Sequence, residues 1–249
     1  MSPGDSPEPE PPNRAVPFLA AFNDIENHLR TVLQARKSDG FRWMVRLAEK
    51  KHLISDAHSE ALQAFADLRN AISHGTYNNY RPIAEPLPET VEQISRIRDL
   101  ILDPPTALGV LGGQRVRLAA PGDPIRGPLA VIRSTDISQF PVYDADGYVA
   151  LLTTNTIARW VAADLDDNDH LDARTVAEVL DYAERSDCAV FLPRDASAQE
   201  VVDAMRAPDR AGNLPRAILL TEHGRRHQKP LRVVGGADLG VLLDALEVP

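Results

Sequence analysis

The hydrophobic period changes once along this chain, at Pro104-Pro105, and nothing else in it limits the possible folds as much. Proline locks its own φ, lacks an amide donor and pushes the preceding residue out of the helical region, so a pair of prolines ends a helix. Before the pair, apolar residues recur at three- and four-residue steps. After it, short β-branched runs alternate with helical stretches. The pattern predicts an α+β multidomain chain, an all-α domain over 16–104 followed by an α/β domain over 105–249.

Four helices are expected in the first part. "PFLAAFNDIENHLRTVLQ" puts Phe18, Phe22, Ile25, Leu29, Val32 and Leu33 on one stripe. "FRWMVRLAEKKHLI" repeats the pattern, with Met44, Leu47 and Leu53 as inward positions. "SDAHSEALQAFADLRNAISHG" opens on Ser55 as an N-cap, with His58 where a capping-box acid would stand. It carries Leu62, Phe65, Leu68 and Ile72 and closes at Gly75, a natural C′ residue. A fourth helix with Val91, Ile94, Ile97, Leu100 and Ile101 follows the proline-rich "NNYRPIAEPLPET". Helices of this length form a small four-helix bundle.

The second part contains an approximate repeat. "QRVRLA" and "LAVIRS" read as short β-branched runs. "QFPVYDADGYVALLTTNTIARWVAADL" reads as strand, turn, strand, connection and helix, with Asp146-Gly147 at the turn. The order returns in "CAVFLPRDASAQEVVDAMRA" and "PRAILLTEHGRRHQKPLRVVGGADLGVLLDAL". The two α/β halves span about 106–166 and 172–247.

Composition excludes several classes. The formal charge of −9 argues against a surface coated in basic side chains for nonspecific nucleic-acid binding. The single cysteine, Cys188, cannot form an internal disulfide, and its apolar run reads as a buried small hydrophobe. No metal-spaced cluster, phosphate-binding loop or nucleophile elbow is present. No apolar run approaches about 18 residues, so no membrane span is expected. The N-terminal "MSPGDSPEPEPPN" lacks the parts of a signal peptide and reads as a disordered proline-rich tail over 1–15, which fits a cytoplasmic chain.

The repeat resembles a tandem pair of CBS domains, often called a Bateman module. The likeness is carried by Pro141-Val142, Asp144, Gly147 and Thr153 within "FPVYDADGYVALLTTNTIARWV", and by "DASAQEVVDAM" and "LRVVGGADLGVLLDAL" in the second copy. It implies a disc-shaped pair whose cleft takes an adenosyl ligand: AMP, ATP or S-adenosylmethionine. In such pairs a Ser or Thr followed three positions later by an Asp contacts phosphate and ribose. The matching positions here are Thr153 with Thr156, and Gly235 with Asp238, so neither copy has the full pair. Asp238 either accepts from both ribose hydroxyls or caps the last helix. Arg225, Arg226, His227 and Lys229 form a basic run that either meets phosphates or is solvated.

The first part resembles the HEPN superfamily. Arg69-Asn70-Ala71-Ile72-Ser73-His74 fits its Arg-x4-His signature near the end of the third helix. The resemblance implies a metal-independent endoribonuclease, needing no cofactor for catalysis, of a kind often paired with an antitoxin protein. RNA brings its own nucleophile, the 2′-hydroxyl. A histidine moves protons near neutral pH, an arginine clamps the phosphate and Asn70 holds an oxygen or orients the imidazole, leaving a 2′,3′-cyclic phosphate and a 5′-hydroxyl. Five residues put Arg69 and His74 about 140° apart around a helix. They converge best at a helix end or across a twofold axis, so a homodimer with paired sites is expected. On the other reading Arg69 is solvated and His74 meets the helix dipole.

Tyr77, Asn78 and Tyr80 are candidates for base stacking. Arg42, Arg46 and Lys50, with Arg36, Lys37, Lys51, Phe41 and Trp43, form the best RNA-binding patch or else a solvated helix face. Asp24 and Glu26 are weaker candidates from the first helix. The resulting expectation is an endoribonuclease gated by an adenosyl-sensing pair. The alternative is a noncatalytic sensing or dimerisation module whose helical domain binds RNA or protein.

Overall fold

The computed structural model describes residues 13–51, 53–74, 76–77, 81–82, 84–168, 171–172 and 174–247. It describes no side chain at 74, 76, 77, 81, 82, 167 or 168. Nearly all of the expected proline-rich tail, and also Gly75, Asn78 and Tyr80, lie outside the described residues. The chain divides into two compact units that meet in sequence between Pro104 and Pro105.

In the first unit α1 (Ala15–Val32), α2 (Phe41–Lys50) and α3 (Asp56–His74) follow one another. A short antiparallel pair, β1 (Thr76–Tyr77) and β2 (Arg81–Pro82), precedes α4 (Pro88–Leu102). The helices share one core. α1 contributes Phe18, Phe22, Ile25 and Leu29, α2 Met44 and Val45, α3 Leu62, Phe65 and Ile72, and α4 Ile94 and Ile97. Phe18 meets Phe65 edge-on at 5.8 Å, and Phe22 lies 4.3 Å from Phe41. Ser55 starts α3 as expected, its hydroxyl accepting from the His58 amide at 3.2 Å. Val32 and Leu53, expected inside, are 46% exposed each. α2 stops at Lys50, before Leu53 can reach the core face, and Val32 falls on the outer edge of the last turn of α1.

The second unit continues with α5 (Ala107–Leu111), α6 (Arg126–Ser134), β3 (Gln139–Tyr143), β4 (Tyr148–Thr153) and α7 (Thr154–Asn168). Then come α8 (Val176–Leu180), β5 (Ala189–Pro193), α9 (Ala198–Arg206), β6 (Ala217–Thr221), β7 (Arg232–Val234) and α10 (Asp238–Leu246). "LAVIRS", read as a β-branched run, lies in helix α6, and "QRVRLA" is irregular apart from one bridge at Ala119. In α6 the period of Leu129, Val131 and Ile132 against a buried core outweighs their strand propensity.

The two halves repeat one topology. β3 and β4 form an antiparallel hairpin, as do β6 and β7, and each hairpin takes a parallel neighbour. In the second half that neighbour is β5; in the first it is the bridge from Ala119 to Val142. Alternate strand residues face different cores, as the pleat dictates. Ile218 and Leu220 pack with α9 and α10, while Ala217 and Leu219 meet Leu151 and Val233 between the hairpins.

One exchange crosses the sequence halves. α5 precedes the first hairpin but packs with α9 and α10, and α8 precedes the second but packs with the first-half core. Matching bridges anchor both, Thr106 to Ser197 and Thr175 to Pro124.

Candidate functional sites

In the first unit α3 runs regularly to His74, so Arg69 and His74 sit on one continuous helix with their five-residue offset intact. The side chains of His74 and Tyr77 lie outside the described residues. The guanidinium of Arg69 stands 5.9 Å from the centre of the Phe22 ring, and its Nη1 is 3.4 Å from Asn70 Oδ1. No described carboxylate pairs with it. The Phe22 face holds this cation by attraction to the ring quadrupole without neutralising it. Asn70 is exposed beside it.

The proposed RNA-binding face on α2 is in part already engaged. Arg42, Arg46 and Lys50 lie at four-residue steps and all three are exposed, with Trp43 half exposed next to them. Arg42 forms an ion pair with Asp67 of α3, and Glu26 forms one with Arg30. Arg46 and Lys50 are the cations of that face left to meet a phosphate.

In the second unit Gly235 and Asp238 line a cleft of about 170 Å³, open to solvent on one side. Its other walls come from 114–117 and 136–139. A Cβ at Gly235 would stand 3.2 Å from Oε1 of Gln139, so a larger residue here would push on that side chain. Asp238 does not cap α10: the cap position is Ala237, and the Asp238 carboxylate reaches back to accept from the Gly235 amide at 2.9 Å. Its other oxygen accepts from Arg232 Nη2 at 2.8 Å, and Arg232 Nη1 also donates to the carbonyls of Leu111 and Gly112. Each carboxylate oxygen keeps a second lone pair for a ligand hydroxyl. Arg115 and Arg117, on the opposite wall, are exposed and have no described carboxylate partner. They were not singled out in the sequence, where their strand-like surroundings hid them.

The first copy is built differently. Thr153 and Thr156 are buried, and their hydroxyls are 3.1 Å apart. Both donate to one carboxylate, that of Asp187, at 3.1 and 3.0 Å. Asp187 also accepts from the Glu184 amide at 3.0 Å and lies 3.8 Å from Arg216 Nε. The structure thus brings Thr153 and Thr156 together, but toward a residue that sequence reading missed. The only local signal was an acid just before an apolar strand, and its partners lie more than thirty residues away.

Of the basic run, Arg226 is tied into the fold. Arg226 stacks over Tyr148 and Phe191, at 5.2 and 5.8 Å, and its carbonyl accepts from the Tyr148 amide. Burial raises the Cys188 thiol pKa, and the charges of Asp209 and Asp187 add to that, which leaves little thiolate for attack. Among the described residues no group of His, Cys, Asp and Glu side chains is placed to hold a metal ion. No described helix is long and apolar enough to cross a membrane.

No protein-family model and no curated protein matches the chain. Solved structures similar to it include CBS-domain structures. The CBS domain of a bacterial CNNM/CorC family Mg2+ transporter, in complex with ATP, is 19% identical with a TM-score of 0.39, over 64% of this chain and 99% of that one. A CBS-domain-containing protein from Agrobacterium tumefaciens is 17% identical with a TM-score of 0.39, over 56% of this chain and 89% of that one. The protein CBSX2 in complex with AMP is 7% identical with a TM-score of 0.38, over 55% of this chain and 93% of that one.

Proposed function

We propose that the second unit is a CBS-type pair that binds an adenosyl nucleotide in the cleft at Gly235 and Asp238, and that the first unit is a HEPN-type endoribonuclease governed by that binding. The observation that carries the first part is the cleft itself. Asp238 stands on one wall with lone pairs free, and two arginines with no carboxylate partner among the described residues stand on the other. A ribose suits the carboxylate, and phosphates suit Arg115 and Arg117. At about 170 Å³ the cleft is smaller than typical ligand pockets, so a nucleotide would extend its phosphates through the open side toward the arginines.

Support for the second part is narrower. Arg69 has no carboxylate partner among the described residues and is held on an aromatic face one residue from Asn70 and five from His74. In the proposed reaction His74 takes the 2′-hydroxyl proton, the 2′-oxygen bonds to phosphorus and the bond from phosphorus to the 5′-oxygen breaks. The leaving oxygen is then protonated, and Arg69 holds the phosphate oxygens as charge builds. The five-residue offset favours a homodimer in which the two helices bring their sites together. Ligand binding to the second unit would act by favouring one packing of the two bundles over another.

Purified protein and end-labelled RNA test this reading. Cleavage to cyclic-phosphate ends, lost in His74→Ala, is the expected result. No cleavage by the wild type, or equal cleavage by His74→Ala, overturns the enzyme. The Arg42–Asp67 ion pair favours a second reading, because it removes one cation from the RNA face. On that reading the protein is a noncatalytic nucleotide-sensing or dimerisation module whose bundle binds RNA or protein.

A further inference from the structure

We propose that Asp187 is an intramolecular plug. It occupies the hydroxyl pair of the first copy, so that the second unit offers one ligand cleft per chain instead of two. The plug depends on the nucleotide reading above only for the choice of probe.

The repeat makes the two sites directly comparable. Thr153 and Thr156 end β4 and begin α7 as Gly235 and Asp238 follow β7 and begin α10. On the facing side, the bridge from Ala119 to Val142 corresponds to the pair Leu192 and Leu220. Gln114 and Asp187 each lie five residues before it, and so are counterparts. Gln114 lines the cleft beside Gly235 and Asp238 and spends its carbonyl oxygen on the Val233 amide at 2.9 Å, with no described bond to Asp238. Asp187 turns into its site and takes both hydroxyls.

The fit is complete on the protein's own side. The Asp187 side chain has 0% exposure, and Thr156 is 0% and Thr153 5% exposed. Each carboxylate oxygen accepts from one threonine hydroxyl, and Oδ2 takes the Glu184 amide as well. Arg216 supplies the nearby positive charge. Position 156 carries a hydroxyl where the second copy has the Asp238 carboxylate, and Asp187 brings a carboxylate back from a distant part of the chain. A nucleotide entering here would have to expel a buried, hydrogen-bonded carboxylate before making any contact of its own. At the second copy the equivalent space is the open cleft.

Equilibrium dialysis of the full chain against labelled ATP counts the sites. The wild type should bind one ATP per chain, and Asp238→Ala none. Asp187→Ala should bind two, and one of them should survive in the double variant Asp187→Ala/Asp238→Ala. Should Asp187→Ala fail to fold by circular dichroism, Asp187→Ser keeps a polar group beside the threonines and takes its place. Two sites in the wild type overturn the plug and leave the cleft standing. One site in both the wild type and the Asp187 variants also overturns the plug. No binding by the wild type but one site in Asp187→Ala upholds the plug and sinks the cleft reading. No binding by any of them overturns both.

Discussion

Arg69 carries a charge that the fold supports without neutralising. Removing a part-exposed cation held by a ring face and one long hydrogen bond to Asn70 costs little stability, about 0.5–1 kcal/mol. Removing a group that stabilises developing phosphate charge costs far more in rate. Arg69→Ala should therefore lower RNA cleavage by roughly 10²–10³-fold while leaving the melting temperature nearly unchanged. Parallel losses in both would make Arg69 a structural residue. Tyrosine titration tests the packing of the second unit. Burial pushes the Tyr143 hydroxyl up to about 12, with Arg226 pulling it partly back, and it raises Tyr148 also. An unfolded tyrosine titrates near 10. Between those values the unfolded chain loses protons that the folded chain keeps, so this contribution is present below about pH 10 and is lost as pH rises through 12. Tyrosinate absorbance should show a late class among the five tyrosines, smaller in Tyr143→Phe. At this scale the three-residue spacing of Gly235 and Asp238 was enough to expect them side by side, and they line one cleft. The sequence was opaque at Asp187, whose role exists only after β4, α7 and the approach to β5 have folded together.

Among the elements, the β3–β4 turn is the most constrained. Gly147 has φ of 127°, and a Cβ there would stand 2.9 Å from the His227 Cα. The Asp144 side chain closes the same turn by accepting from the amides of Asp146 and Gly147. Gly147→Ala combines a disfavoured backbone region with a clash against another chain segment's backbone. It should cost roughly 1–3 kcal/mol, read as a lowered denaturant midpoint with an unchanged slope; a cost below about 0.5 kcal/mol would mean the turn tolerates a side chain there. Asp-Gly is a strong turn signal, and this hairpin was read correctly from it. The helices of the bundle were legible for a similar reason, since a sustained apolar stripe has one interpretation. α6 was not. Leu129, Val131, Ile132 and their neighbours are too short a run to separate helix from strand by period alone, and only the core they pack against decides it. The capping boxes of α8 and α9, Thr175 with Glu178 and Ser197 with Glu200, were readable signals that went unused.

For the whole molecule, the two units carry one tryptophan each, Trp43 half exposed in the first and Trp160 buried in the second. This allows ligand effects to be assigned. ATP at a hundred times its Kd stabilises the unit that binds it by about 2.7 kcal/mol. In a Trp43→Phe protein the unfolding midpoint reported by Trp160 should rise with ATP. In a Trp160→Phe protein the midpoint reported by Trp43 should move less. Equal shifts in both would show that the bundle and the repeat unfold together. The change of hydrophobic period at Pro104-Pro105 marked this division in the sequence, whereas the crossed packing of α5 and α8 did not show, because it depends on which core each short helix joins. The most direct test of the account is to locate a bound nucleotide by photo-crosslinking the full chain with an azido-ATP and mapping the labelled peptides. Label confined to 114–117, 136–139 and 233–238, and competed away by ATP, is the expected result. Label at Thr153, Thr156 and Asp187, or none that ATP displaces, would contradict it.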